Sequence, residues 1–450
     1  MTNKIIKSGK PLNGKAVIPG DKSISHRMLI FAFLAEGSSE IRGLSRGDDV
    51  KRTAAAIENL GANLEHLLSS QDSNGDNVLI TGGLSRVKEP TYPLDMGNSG
   101  TGLRLMAGVL SRFDFLSILI GDDSIHRRPM GRIVEPLRQM GARVDGRVDG
   151  TLAPLVIRGG GLQGIDYAPQ VPSAQVKSSI LLAGMGAKGT TVVREHTATR
   201  RHTEEMCQLL ELPVEVESVG QSLKVSLQAC SVPPFNLDVP RDPSQAAFVA
   251  VAASIIEGSE VEIENVYLGP GRDGFLRVLL DMGANIEVHK RTDNTADLSV
   301  KSANLQGTVV TGQLLADSID EVPVLAVAAA YATGETKFLD AGELRAKESD
   351  RLVAIEEGLL RLGVAAKIEG DNLFIEATGR VPGNLLTGEK IMCRSFHDHR
   401  IAMALSVATM AACNESASNQ VTSELEIDDF DAVDTSWPGF IEAFATLQQN

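Results

Sequence analysis

The sequence predicts an α/β protein of two domains, each made of three repeated helix–strand–helix–strands units with helices buried inside the domain as well as covering it. Three observations carry this expectation. A unit of roughly 75 residues recurs six times along the chain, the mark of a repeat architecture. In each copy a polar cluster opens a small-residue apolar helix with few charges on any face, which is the pattern of a helix buried on all sides. A second helix then follows, and four of these end alike, at Leu60-Gly61-Ala62, Met140-Gly141-Ala142, Met282-Gly283-Ala284 and Leu362-Gly363-Val364.

The units keep register. Their helix-opening positions are Lys22, Ser99, Gln175, Ser244, Asp320 and His399, spaced 77, 76, 69, 76 and 79 residues apart. The inner helices read RMLIFAFLAEG, GLRLMAGVL, KSSILLAGMGAKG, AAFVAVAASIIEG, VPVLAVAAAYATG and RIAMALSVATM. Second helices such as DVKRTAAAIENLGA and GRIVEPLRQMGA place apolar residues at i, i+3, i+4 and i+7, so they should cover the outside of a sheet. The strands SSEIRGL, TTVVRE, SEVEIENV and ETKFLD are short and β-branched. Pro233-Pro234, Pro240 and Pro243 cluster ahead of the fourth unit and mark a crossover between halves. The expected domains are therefore 21–243, and 1–20 with 244–450. The strand pattern KAVIP near the start could pair with either half, and Ser69–Asn77 reads as a mobile polar turn.

Composition narrows the function classes. The 450 residues are 43% hydrophobic and 22% charged, ordinary for a soluble globular protein. A net charge of −15 and only 4% aromatic residues argue against nucleic acid or an anionic membrane as partner. A local basic pocket inside that acidic shell still suits anionic metabolites. The start, MTNKIIKSGKPLNGK, lacks the apolar core of a signal peptide. The expectation is a cytoplasmic monomer. Cys207, Cys230, Cys393 and Cys413 show no C-x-x-C spacing and read as reduced thiols.

Cations gather where helices open. GDKSISHR puts Lys22, Ser23 and Arg27 in the first turns of an apolar helix, where amides, a hydroxyl and two cations make an anion cradle. GNSGTGLR brings three glycines, Gly100 among them, to the second inner helix, and IHRRPMGR carries Arg128. PSAQVKSS opens the third with Ser173, Ala174, Gln175 and Lys177, and TATRRHTEE adds Arg200 and Arg201. LRAKESDR concentrates Lys347, Glu348 and Arg351; the two cations are i, i+4, where like charges repel. SFHDHRIA adds His399 and Arg400, and a metal reading of His397 and His399 lacks a third spaced ligand. GPGRDG (Gly269–Gly274) satisfies G-x-G-x-x-G but occupies the second-helix slot of the repeat, and its Pro270 lacks an amide for phosphate. Lys22, Arg27, Arg128, Arg200, Lys347, Arg351 and Arg400, taken as unpaired, would repel strongly unless polyanions bearing phosphate and carboxylate filled a cleft between the halves.

GDKSISHR, GNSGTGLR, RRPMGR, SAQVKSS, LRAKESDR and DHRIAM, in that order along almost the whole chain, resemble the motifs of the 5-enolpyruvylshikimate-3-phosphate (EPSP) synthase family. The resemblance implies the enolpyruvyl transferase fold, an inside-out α/β barrel arrangement of two domains, each of three βαβαββ-type units, with the chain crossing twice between them. It implies transfer of the carboxyvinyl group of phosphoenolpyruvate to the 5-hydroxyl of shikimate 3-phosphate, with no metal or organic cofactor. Lys22, Ser23, Arg27, Ser173, Ala174, Gln175, Arg200 and Lys347 would then hold shikimate 3-phosphate, with Lys22 also near phosphoenolpyruvate. Gly100, Arg128, Arg351 and Arg400 would hold phosphoenolpyruvate. Asp320 would take the proton of the attacking hydroxyl and Glu348 would handle the methylene proton. Glyphosate competes with phosphoenolpyruvate in this family, and Gly100 stands where some tolerant members carry alanine. One departure stands out: Val433-Asp434-Thr435-Ser436 precedes Trp437-Pro438 without the lysine that many members place there. Two alternatives remain at this level. The UDP-N-acetylglucosamine enolpyruvyl transferase shares the repeats but typically uses a cysteine in a glycine-rich loop, and a non-catalytic polyanion-binding repeat protein would need neither Asp320 nor Glu348.

Overall fold

The computed structural model describes every residue except 1, 8, 69–74, 221, 292, 413–422 and 450. Most of the polar turn at Ser69–Asn77, and Cys413, lie outside the described residues. The chain divides into two units, Gly20–Val239 and Met1–Pro19 with Pro240–Asn450. Each has its own hydrophobic core.

In the Gly20–Val239 unit the inner helices are Lys22–Leu34, Gly100–Leu110 and Ala174–Gly184. Short oxygen-bearing side chains cap all three. Asp21, Ser99 and Ser173 accept the N–H of Ile24, Gly102 and Val176 at 2.7, 3.1 and 3.4 Å. Each such cap is worth about 1 kcal/mol. Beyond the opening turns the helices are almost wholly buried, and their few charged residues, Arg27, Arg104 and Lys177, are buried with them and paired inside the unit. Two of them pack closely because Gly108 has no side chain; a Cβ there would lie 2.1 Å from the Ser179 carbonyl oxygen. The amphipathic helices Asp48–Asn59, Gly131–Gln139 and His202–Leu209 complete the three repeats.

Every repeat of this unit contributes a four-stranded sheet of one design. In the first, Ser38–Leu44 runs antiparallel to Asp76–Thr81, which pairs on its other edge with Asn63–Leu67. Asn236–Asp238, from the end of the third repeat, adds in parallel to Ser38–Leu44 and so ties the last repeat to the first.

The second unit is built around Pro243–Ile255, Val322–Tyr331 and His399–Met410. Its first two repeats carry four-stranded sheets and its last, among the described residues, three strands. Pro243 and Pro323 sit in the first helical turn, where a missing N–H is harmless. The N-terminal segment belongs here. Lys4–Ile6 pairs antiparallel with Leu425–Ile427, and Asn13–Ala16 adds in parallel to Glu260–Tyr267. Pro240 to Pro243, expected in the first domain, group with this unit. The reason is local bonding: the Asp242 N–H donates to the Pro19 carbonyl at 3.0 Å and the Arg241 N–H to the Asn265 carbonyl at 2.8 Å. Among the described residues the six sheets stay separate, and no closed barrel forms. No helix of the described residues is long and apolar enough to cross a membrane.

Candidate active site

In the Gly20–Val239 unit the first inner helix opens with Lys22, whose Nζ lies 3.0 Å from Asp49 Oδ2. Arg27, further along the same helix, is buried. It donates from Nε to Thr203 Oγ1 at 2.8 Å, from NH2 to Ser178 Oγ at 2.7 Å and from NH1 to the Ser23 carbonyl at 2.9 Å. These bonds bring the GDKSISHR helix to the openings of the Ala174–Gly184 and His202–Leu209 helices. His26 between the two cations is fully buried, with Nδ1 2.8 Å from Thr53 Oγ1. Burial, then the charges of Lys22 and Arg27, push its pKa well below the ordinary value of 6.5.

The second and third inner helices meet through Gln175. Its Oε1 accepts from Arg104 NH1 and its Nε2 donates to Thr101 Oγ1 at 2.8 Å. Arg104 also donates to the Pro129 carbonyl at 3.3 Å, and Arg128 donates to the Asn98 carbonyl and Ser124 Oγ at 3.2 and 3.0 Å. Gly100 faces these arginines: a Cβ on it would meet Arg128 NH1 at 2.7 Å and Arg104 NH1 at 3.2 Å. Ser173 and Ala174 stand at the N-cap and first position of their helix, both half-buried. Arg200 is half-buried in the segment ahead of His202–Leu209.

The other unit gathers a denser network. Asp320 Oδ1 lies 3.3 Å from Lys347 Nζ and 3.4 Å from Arg351 NH1, while Glu348 Oε2 lies 2.6 Å from Arg351 NH2. Arg351 Nε donates to Asp398 Oδ2 at 2.8 Å, and Asp398 caps the His399–Met410 helix by accepting the Arg400 N–H at 3.0 Å. Burial would lower the Arg351 pKa, but Asp398 and then Glu348 outweigh it and push it up. Arg400 donates to the Asp320 carbonyl at 2.9 Å and to Ser244 Oγ at 3.4 Å. Arg272 completes the cluster, 3.0 Å from Asp242 and 3.5 Å from Glu321.

Asp320, Lys347, Glu348, Arg351 and Arg400 are thus brought together in one unit, and Lys22, Ser23 and Arg27 in the other, where Gly100, Arg128 and Gln175 also converge. The cations are not unpaired, as spacing had suggested. Lys22, Lys347 and Arg351 each have a carboxylate oxygen within 3.4 Å. Lys347 and Arg351 do not share a helical face either, because Asp350 caps the helix and Arg351 is its first residue. Sequence reading missed the counter-charges Asp49 and Asp398 and the partners Arg104 and Arg272. Arg272 sits in the very GPGRDG stretch set aside as a false dinucleotide motif, and its place in the repeat was the signal that could have found it. His399 is buried at the helix opening, while His397 is exposed beside Asp429 at 3.2 Å.

Burial raises the thiol pKa of Cys207 and Cys230 and pushes Cys393 up to about 12. They stay thiols, unsuited to the nucleophilic role a cysteine-dependent relative would need.

Two three-repeat units built around buried helices give this chain the fold of an enolpyruvyl transferase. The enolpyruvyl transferase NikO from Streptomyces tendae superposes with a TM-score of 0.74 over 98% of this chain and 96% of its own, at 16% identity, which speaks for the fold alone. Within that class the chain belongs to the EPSP synthase (3-phosphoshikimate 1-carboxyvinyltransferase) family, whose model matches residues 6–444. It is 47% identical over 407 residues to the 3-phosphoshikimate 1-carboxyvinyltransferase of Synechococcus sp. (strain JA-3-3Ab), covering 89% of this chain and 88% of the relative. A similar relative from Sulfurihydrogenibium sp. (strain YO3AOP1) is 41% identical over 97% of each chain. The EPSP synthase of Acinetobacter baumannii superposes with a TM-score of 0.82 at 36% identity, over 99% of this chain and 98% of that one.

Proposed function

We infer that this enzyme transfers the carboxyvinyl group of phosphoenolpyruvate to the 5-hydroxyl of shikimate 3-phosphate and releases phosphate. The observation that carries the assignment of roles is the position of Asp320: one carboxylate within 3.4 Å of both Lys347 and Arg351, with Glu348 on the far side of the same guanidinium. Two carboxylates among cations at helix openings suit proton transfer next to anionic substrates.

In this reading Lys22, Ser23, Arg27, Ser173, Ala174, Gln175, Arg200 and Lys347 hold shikimate 3-phosphate. Gly100, Arg128, Arg351 and Arg400 hold the carboxylate and phosphate of phosphoenolpyruvate, with Lys22 beside it. Asp320 accepts the hydroxyl proton as the 5-hydroxyl oxygen of shikimate 3-phosphate adds to C2 of phosphoenolpyruvate, and Glu348, protonated, delivers a proton to C3. The tetrahedral adduct then loses phosphate from C2 and returns a C3 proton to Glu348, restoring the double bond. Glu348 starts and ends protonated, and the leaving phosphate carries away the proton that Asp320 took from the hydroxyl, so both carboxylates return to their starting states. Binding of anions displaces existing ion pairs rather than filling bare positive charge, so selectivity comes from the geometry of several donors at once.

The test is phosphate release from phosphoenolpyruvate as a function of shikimate 3-phosphate. Saturable release that needs both compounds is expected. Binding of either anion without turnover would instead mark a polyanion-binding repeat protein.

A further inference from the structure

Lys177 is the fourth residue of its inner helix, and it is completely buried. Counted from the N-cap in the same way, the other five inner helices carry Ser25, Leu103, Ala246, Leu325 and Ala402 there. The third repeat alone sets a cation at this core position. Its Nζ lies 2.8 Å from Glu195 Oε2 and 2.7 Å from Glu204 Oε1, and both glutamates are as buried as the lysine. Drawing three ions out of water costs several kcal/mol each, and an apolar trio of like volume would serve stability as well or better. A cluster of this kind therefore calls for an explanation in position rather than in stability.

The explanation lies in what the two glutamates hold. They flank the 196–201 segment, which joins the Thr191–Glu195 strand to the His202–Leu209 helix and carries Arg200. Glu195 reaches into that segment, accepting the Thr199 N–H at 3.2 Å and the Thr199 hydroxyl at 2.6 Å. On the far side Glu204 adjoins Thr203, whose hydroxyl accepts from Arg27 Nε at 2.8 Å and donates to Ser178 Oγ at 2.7 Å. One lysine thus pins both ends of a loop whose two neighbouring cations, Arg200 and Arg27, are assigned to the same substrate.

We propose that the buried Lys177–Glu195–Glu204 cluster is a positioning device that fixes the 196–201 segment, through Thr199, so that Arg200 is presented to shikimate 3-phosphate. The proposal rests on the substrate reading of Arg200 given above. None of the three charged residues touches substrate; they act through Thr199 and Thr203.

The experiment is a mutant cycle on the intact enzyme with Thr199→Val, a half-buried site that leaves the ion cluster in place, and Arg200→Ala. Losing one hydrogen bond that orients a charged donor should raise KM for shikimate 3-phosphate about fivefold in the Thr199→Val enzyme. KM for phosphoenolpyruvate and kcat should stay within about twofold, and Thr199→Ser should restore the parent value. In the Arg200→Ala background the Thr199→Val change should have no further effect, because its target is gone. Glu195→Gln should reproduce the shikimate 3-phosphate effect if it folds. A Thr199→Val effect that persists without Arg200, that falls on both substrates equally, or that is absent altogether would overturn the proposal. Arg200→Ala with an unchanged KM for shikimate 3-phosphate would separately overturn the substrate reading of Arg200, and the proposal with it.

Discussion

Arg351 and Asp398, 47 residues apart, form a buried ion pair at 2.8 Å in which the carboxylate also caps the helix that carries Arg400. One aspartate thereby fixes two of the arginines assigned to phosphoenolpyruvate. Since Arg351 is almost wholly inaccessible, its charge is held by neighbouring carboxylates rather than by water.

Removing that carboxylate charge should be costly. Asp398→Asn leaves Arg351 buried with its fully buried counter-ion neutralised, and should lower the free energy of unfolding by about 3 kcal/mol. Denaturant unfolding followed by the fluorescence of Trp437, the single tryptophan and a buried one in the same unit, reads this directly. A loss below about 1 kcal/mol would mean that Glu348 and Asp320 alone compensate the guanidinium.

Asp320 and Glu348 should matter through chemistry more than binding. Asp320→Asn and Glu348→Gln keep shape and remove a proton-transfer group, and each should lower turnover by about two orders of magnitude. Titration calorimetry should still detect shikimate 3-phosphate binding to both variants. Near-normal turnover in either one would remove it from the mechanism.

Gly100 leaves room that a methyl group would take from Arg128. The Cβ of Gly100→Ala would sit 2.7 Å from Arg128 NH1, the far end of a flexible side chain, so the enzyme should fold and the arginine should shift. KM for phosphoenolpyruvate should rise a few-fold, and the inhibition constant for the longer glyphosate molecule should rise about tenfold or more. Steady-state inhibition at several phosphoenolpyruvate concentrations tests this. Equal effects on the two ligands would place the discrimination elsewhere.

His26 predicts a pH dependence of stability. Its folded-state pKa lies below the ordinary 6.5, so as pH falls through that value the unfolded chain takes up a proton that the folded chain refuses. Its contribution to stability is therefore complete above about pH 6.5 and is lost progressively on acidification. The melting temperature of the parent should fall faster between about pH 7 and pH 5 than that of His26→Gln, which cannot titrate. Parallel curves would show that the folded protein accepts the proton on His26 after all.

Much of the architecture was legible in the sequence because it is written in local terms. Helix burial follows from runs such as VPVLAVAAAY, which have no charged face, and helix starts follow from the polar clusters at Lys22, Ser99, Gln175, Ser244 and His399, each at or within two residues of a side-chain cap. The cations of the site were visible for the same reason, as dense short motifs at repeated positions. Their partners were not. Lys22 meets Asp49 across 27 residues, Arg351 meets Asp398 across 47, and Arg27 meets Thr203 across 176. No periodicity joins such positions, and whether a charge stands bare or compensated depends on which side chains the packed helices deliver to it.

Six repeats, their buried helices and the residue types at each opening follow from the order of amino acids alone. Folding in three dimensions decided the rest. It buried Lys177 between two glutamates, and it added Asn13–Ala16, which from sequence could have joined either half, to Glu260–Tyr267. Ion pairing and sheet addition are contacts between segments that only the packed chain brings within reach of one another.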